Sequence, residues 1–180
     1  MTDVIPLVPD LLVLRPLTVD DEDEARRAAG ELAADGFTFL HGAFDAGLTW
    51  PQFVARTERR GRGEDVAPGF VPSTLLVADV GGLLVGRASI RHALNADLLA
   101  WGGHIGYAVR PAFRRRGFAR RILRLSLDLA AQRGVPSALV CCADTNVASA
   151  AVIESCGGVL ENLGPGEDGL PTRRYWIPTS

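Results

Sequence analysis

The feature that most limits the fold of this chain is a pair of apolar segments, 73–80 and 83–92, separated only by Gly81-Gly82. Glycine adopts positive φ without steric cost, and both central residues of the tightest turns between antiparallel strands need it. The two segments are therefore predicted to form a β-hairpin.

Further strands and helices are predicted on both sides of this hairpin from the period of the apolar residues. Strands are expected at 11–17, 104–109, 137–142 and 172–177. Helices are expected at 20–34, 51–60, 117–133 and 146–156. Segment 36–50 is rich in aromatic residues and glycine and matches neither period, so we expect it to line a pocket or to cap the core.

Length and composition predict one folded domain over residues 1–180. The chain has 180 residues, of which 47% are hydrophobic and 22% charged, values typical of a globular protein and not of a disordered one. No apolar run reaches the roughly 18 residues of a membrane span, and the N-terminus lacks the pattern of a secretion signal. We therefore expect a cytoplasmic protein with no membrane partner.

Charge and cysteine usage exclude several kinds of site. The net charge of −2 gives no overall attraction to nucleic acid, and all 19 basic residues are arginine, which excludes a lysine nucleophile. Cys141 and Cys142 are adjacent and Cys156 stands alone, so no disulfide framework is expected. The histidines are scattered and the two neighbouring cysteines lack zinc-ligand spacing, so no metal site is expected either.

The most informative segment runs from 109 to 119, where a strand leads through a basic loop directly into a helix. The first turn of a helix leaves backbone N–H groups unpaired and carries positive potential, and small residues at Gly117 and Ala119 let a phosphate approach the backbone. Arg114, Arg115 and Arg116 add charge that can reach phosphate oxygens. The loop is thus a candidate pyrophosphate site, the alternative being a solvated basic face.

Arg114-x-x-Gly117-x-Ala119 after a strand resembles the Q/R-x-x-G-x-G/A acetyl-CoA signature of the GNAT acyltransferase superfamily. Asn146-x-x-Ser149 at a helix start also resembles that superfamily, and segments 102–107 and 174–177 are similar to a branch known mainly as predicted acetyltransferases. The resemblance extends roughly from 12 to 177. It implies an α/β (α+β) GNAT fold, with a mixed, mainly antiparallel central sheet and helices on both faces.

The resemblance also implies a binding site for acetyl-CoA as co-substrate. Backbone groups of Tyr107, Ala108 and Val109 would hold the pantetheine arm, and Asn146 and Ser149 would flank it. The pyrophosphate would be bound by the amides of a continuous run of residues, namely Arg115, Arg116, Gly117, Phe118 and Ala119.

The sequence departs from the superfamily at the positions that often supply an acid and a base. Ile153 occupies the place of a frequent tyrosine, and Gly103 that of a frequent carboxylate. The candidates for proton transfer are then His104, His92 and Tyr175. Each has a structural alternative: a bond across the sheet for His104, a pinned loop for His92, and a core aromatic for Tyr175.

The function implied is transfer of an acetyl group from acetyl-CoA to a primary amine by direct attack on the thioester. A non-catalytic acyl-CoA-binding or sensing module is the alternative. A nucleic-acid module using the arginines between Arg110 and Arg124 is disfavoured, because no aromatic residues interleave a basic surface.

The acceptor is open between a small molecule and a peptide amine. Its chemistry is indicated in two opposite ways, by an acidic run at 20–24 that suits a cationic acceptor and by aromatic residues that suit an apolar one, namely Phe37, Phe39, Phe44 and Trp50. A homodimer is compatible with the sequence.

Overall fold

A computed structural model describes residues 7–40 and 47–179, so that His41 and Phe44 of the aromatic segment lie outside the described residues. The strands are β1 (Val13–Arg15), β2 (Ser73–Val80), β3 (Leu83–Arg91), β4 (Ile105–Val109), β5 (Ser137–Ala143), β6 (Val159–Pro165) and β7 (Pro171–Pro178). The helices are α1 (Glu22–Ala33), α2 (Trp50–Gly61), α3 (Phe118–Gln132) and α4 (Val147–Ser155). None of these helices combines the length and apolarity needed to cross a bilayer.

The strands form two antiparallel sheets, which meet where β4 faces β5. One sheet has the order β1-β2-β3-β4 and the other the order β5-β7-β6. The expected class, strands with helices on both faces, is confirmed. The central sheet is divided, however, and every ladder in the described residues is antiparallel.

The predicted hairpin is confirmed and directs the packing of both faces. Val80 pairs with Leu83, and the turn glycines have φ of 63° and 90°. Because side chains alternate along a strand, Ala78 of β2 packs in the cluster that contains α3, whereas Val77 packs with α1 and α2. Helices α1 and α2 therefore cover one face of the first sheet, and α3 covers the other.

Two strands differ from the sequence prediction. Strand β1 is shorter than the segment 11–17 predicted for it. Strand β6 was not predicted at all, because its apolar residues are mostly exposed, with Val159 at 69% and Leu163 at 53%, and show no buried stripe. Its extended form depends on the ladder with β7.

The two sheets are joined by a pair of hydrogen bonds at the start of β4. The His104 backbone N–H donates to the Leu139 carbonyl at 2.7 Å, and the Leu139 N–H donates to the His104 ring Nδ1 at 2.9 Å. Gly103 permits this approach, since it has φ of 66° and a Cβ there would lie 2.6 Å from the Leu139 oxygen. The junction therefore requires glycine at 103.

Arg110, at the other end of β4, holds the strand against α1. Its side chain is 5% exposed and forms ion pairs with Glu24 and, at 2.6 Å, with Glu31. It also donates to the Leu84 carbonyl at 2.7 Å. Arg110 thus positions the start of the basic loop and is not available to a phosphate.

We predict that Gly103→Ala destabilises the protein far more than Gly134→Ala. Both glycines have positive φ, but a Cβ at Gly134 meets nothing within 4 Å, whereas at Gly103 it meets backbone. The control should cost about 1 kcal/mol, and Gly103→Ala about 1–3 kcal/mol more. Urea unfolding measures both, and equal losses would contradict the proposed close approach.

Candidate active site

The edge of β4 that faces β5 carries backbone groups without strand partners. Arg91 N–H donates to the His104 carbonyl, and Arg110 N–H donates to the Val85 carbonyl. In an antiparallel ladder such hydrogen-bonded residues alternate with residues whose N–H and C=O point the other way. Ile105, Tyr107 and Val109 therefore direct their backbone toward the open edge.

This alternation refines the expected pantetheine contacts. Tyr107 and Val109 face the open edge, and the Val109 carbonyl accepts a bond from the Arg114 side chain at 3.0 Å. Ala108 pairs with Arg87 in the ladder, so its backbone groups face β3 instead. An extended ligand along this edge would bond to every second residue of β4.

The loop between β4 and α3 presents a row of unpaired amides. The Arg114 N–H donates to the Pro111 carbonyl at 3.3 Å, and the next amide with a backbone acceptor is that of Arg121, which bonds the Gly117 carbonyl at 3.1 Å. The amides of residues 115–120 therefore have no backbone acceptor in the described chain. Arg115 and Gly117 have φ of 62° and 84°, which curls successive N–H groups around a concave loop. With the positive end of α3 behind it, this loop is suited to a pyrophosphate.

The loop arginines divide into two groups. Arg114 bonds the Val109 carbonyl and forms an ion pair with Asp35, so it braces the loop. Arg115 and Arg116 are exposed and have no ion-pair partner among the described residues. Of the three arginines expected to reach phosphate, these two have free guanidinium groups.

The second half of the expected cofactor site lies at the start of α4. The Asn146 side chain accepts a bond from the Ser149 N–H at 3.0 Å and so caps the helix. The Ser149 hydroxyl is 2.9 Å from the Tyr107 hydroxyl, which links α4 to β4. Burial raises the pKa of Tyr107 to about 12, so this hydroxyl stays protonated at neutral pH.

His104 lies just before β4, where the junction between the two sheets ends the open edge. Its ring is held in the neutral form. Its Nδ1 accepts the Leu139 N–H, so the ring proton must be on Nε2. Burial, assisted by Arg91, lowers the pKa of His104. In this arrangement neither ring nitrogen can accept a further proton unless the junction between the sheets breaks.

The structure does not bring the other two proton-transfer candidates to His104. Tyr175 is fully buried, and its hydroxyl donates to Glu154 of α4 at 2.9 Å. Its neighbour Trp176 is the β7 residue that contacts the His104 ring, and alternate residues of a strand face opposite ways. The His92 ring Nε2 is 2.8 Å from the Thr74 hydroxyl.

Positions 153 and 103, which often supply an acid and a base in the superfamily, have structural roles in this protein. Ile153 is fully buried and packs against Gly158, where a Cβ would lie 2.5 Å from its side chain. Gly103 has no room for any side chain. Within the described residues, no three His, Cys, Asp or Glu side chains converge as metal ligands.

Arg87 and Arg91 were not assigned a role by sequence reasoning. They project from β3 on the face away from α3, and Arg87 is only 4% exposed. Burial, assisted by the charge of Arg91, lowers the pKa of Arg87 to about 9. Two arginines inside an otherwise apolar strand are the sequence signal that could have identified them.

Comparison with known proteins identifies the family. The acetyltransferase (GNAT) domain family matches residues 12–159, so the chain belongs to the GNAT acetyltransferases, as the resemblance of its motifs implied. Among curated proteins, none matches the sequence significantly.

Solved structures share the fold at low identity. RimL, a ribosomal L7/L12 alpha-N-protein acetyltransferase solved with coenzyme A, is 17% identical with a TM-score of 0.69, covering 98% of each chain. RimJ of Mycobacterium smegmatis is 21% identical with a TM-score of 0.67, covering 93% of this chain and 81% of its own. The microcin C7 self-immunity acetyltransferase MccE, solved with acetyl-CoA and AMP, is 16% identical with a TM-score of 0.65, covering 94% and 93%.

We predict that the stability of the protein falls as the pH decreases from about 6.5 toward 5. The pKa values of His104 and His92 are lowered in the folded state, mainly by burial. The unfolded chain then binds protons that the native chain does not, so stability falls by up to about 1.4 kcal/mol per pH unit for each such histidine. Urea unfolding across this range measures the slope, which should be shallower in His104→Asn; an unchanged slope in that variant would contradict the neutral ring.

Proposed function

We propose that this protein transfers the acetyl group of acetyl-CoA to a primary amine of a small molecule or peptide. The observation that carries the proposal is the row of unpaired amides at 115–120 beside the unpaired edge of β4. The amides suit a pyrophosphate, and the strand edge suits an extended arm that carries amide groups. Coenzyme A contains both of these groups. Membership of the GNAT family and the acetyl-CoA bound in MccE agree with this assignment.

The open edge also suits the chemistry of a thioester. Attack by a neutral amine forms a C–N bond, breaks the C–S bond and releases coenzyme A, while one proton leaves the nitrogen and the thiolate gains one. Negative charge develops on the carbonyl oxygen during attack, and a fixed backbone N–H directed at that oxygen stabilises it. Ile105, Tyr107 and Val109 are the residues whose amides point to this edge.

In this proposal the amine attacks directly and its proton passes to water. His104 is committed to the junction between the sheets, Tyr175 to Glu154 and His92 to Thr74. None of the three therefore needs to transfer a proton, and their expected contribution is to hold the edge in place. The Tyr107 hydroxyl, protonated and bonded to Ser149, is the proposed proton source for the departing thiolate, and it regains its proton from water.

Gly117→Glu should abolish binding of acetyl-CoA and of free coenzyme A, measured by calorimetry. The change places bulk and negative charge among the unpaired amides, whereas Gly134→Glu imposes the same positive-φ strain at the opposite end of α3. The control should bind as the wild type does. If the wild type binds neither ligand, the proposal fails.

Turnover separates an enzyme from a sensing module. Wild-type protein incubated with acetyl-CoA and a panel of primary amines should release coenzyme A and form acetylated amine. Binding of acetyl-CoA without acetylation of any amine would instead favour the non-catalytic acyl-CoA-binding module.

We expect His104→Asn, His92→Gln and Tyr175→Phe each to lower kcat by less than about tenfold. Positioned acids and bases typically contribute 10²- to 10⁴-fold, so a role limited to packing gives a smaller loss. Profiles of kcat/KM against pH provide the measurement. A loss above about a hundredfold in a folded variant, with a missing limb of the profile, would assign that residue to proton transfer.

A further inference from the structure

Arg87 and Arg91 place positive charge on one face of the sheet next to the open edge of β4. Both project from β3 on the side away from α3, because alternate side chains of a strand share a face. The Arg87 guanidinium lies 4.7 Å from the centre of the Phe37 ring and donates to the Thr38 carbonyl at 3.0 Å. Helices α1 and α2 pack on this same face of the sheet, above β2 and β3.

Arg91 lies directly against β4. A Cβ on Gly106 would be 3.1 Å from the Arg91 Nη1 and 3.7 Å from its Cζ, so the guanidinium rests on the strand where glycine leaves space. Gly106 stands between Ile105 and Tyr107, two of the residues whose amides face the open edge. Arg91 is therefore adjacent to the proposed position of the thioester.

Within the described residues, the guanidinium of Arg91 has no anionic partner. Its Nη1 donates to the Gly102 carbonyl at 3.3 Å, and no carboxylate of residues 7–40 or 47–179 forms an ion pair with it. Burial lowers the pKa of Arg91. A guanidinium has several N–H donors in a planar fork that matches a carboxylate, and partial exposure leaves this one accessible to a ligand.

In the proposed reaction, the cofactor and the acceptor bind on opposite faces of the sheet at the β4 edge. The amides of the basic loop and the Tyr107–Ser149 contact lie on the side of α3 and α4, which is the side for the cofactor. The acceptor amine then approaches the thioester from the opposite face, where Arg91 lies.

The acidic run at 20–24 does not counter this positive charge, because most of it forms internal ion pairs. Asp21 bonds Arg15 at 2.7 Å, Glu22 bonds Arg26 at 2.7 Å, and Glu24 bonds Arg110. Three of the five acids in the run are therefore paired within the chain.

We propose that Arg91 binds a carboxylate of the acceptor, close to the amine that is acetylated, so that the acceptors are amino acids or peptides with an acidic group near the amine. Arg87 adds positive potential on the same face. The inference rests on the proposed function, since it assigns the acceptor of that reaction.

The test compares acceptors that differ only in this charge. The probes are free α-amino acids with the matching amino acid amides, and peptides beginning with Asp or Glu with those beginning with Asn or Gln, at a fixed acetyl-CoA concentration. Wild type should show a kcat/KM at least about tenfold higher for the carboxylate members of one of these sets. In Arg91→Gln that preference should fall about 10- to 100-fold, the usual loss for a charged hydrogen bond.

Controls separate acceptor recognition from folding and cofactor binding. Arg62→Gln removes an exposed arginine at the end of α2, paired with Glu64, and should leave the preference unchanged. Arg91→Lys should restore part of it, because the charge remains without the planar fork. The acetyl-CoA Kd should be the same in all of these proteins.

Three results would overturn the inference. They are a wild type without a preference for the carboxylate members of either set, an equal loss on charged and uncharged acceptors in Arg91→Gln, and acetylation of none of the probes by protein that acetylates primary amines without a carboxylate. Failure of the proposed function is distinct, because the wild type would then bind no acetyl-CoA, or would bind it and acetylate no primary amine at all.

Discussion

The hydrogen bonds between His104 and Leu139 determine the arrangement of the candidate site. They join the two sheets at one point and use both the backbone and the ring of His104. Beyond this point β4 and β5 have separate partners, so the edge of β4 keeps backbone groups that need an external partner. Gly103 makes the junction possible, which explains why no carboxylate occupies that position.

Ion pairs decide which charges are available to ligands. Arg110 and Arg114 lie in the basic segment, but they hold α1, β4 and the loop together. Arg115 and Arg116 are left exposed beside the unpaired amides. Ion pairing also removes charge from the acidic run, because Asp21 is buried against Arg15. Charge counted along the sequence therefore overestimates the charge that a ligand meets.

Local patterns predicted the hairpin, α3, α4 and the candidate anion-binding loop, because turn chemistry, helical period and helix capping act over a few neighbouring residues. Strand β6 was missed because its side chains are exposed and only its pairing with β7 makes it a strand. The proton-transfer candidates were chosen by residue type. Their partners, such as Glu154 for Tyr175, come from distant segments that no local pattern reveals.

The sequence by itself determined the family, the strand–loop–helix segment and the glycines at its critical positions, since these depend on local backbone conformation. Only the tertiary structure decided which arginines are free, which backbone groups of β4 face outward, and that Arg91 lies against Gly106 beside the open edge. The physical reason is that burial, ion pairing and strand register each depend on residues far apart in the chain. Those same long-range contacts determine the surface that the acceptor meets.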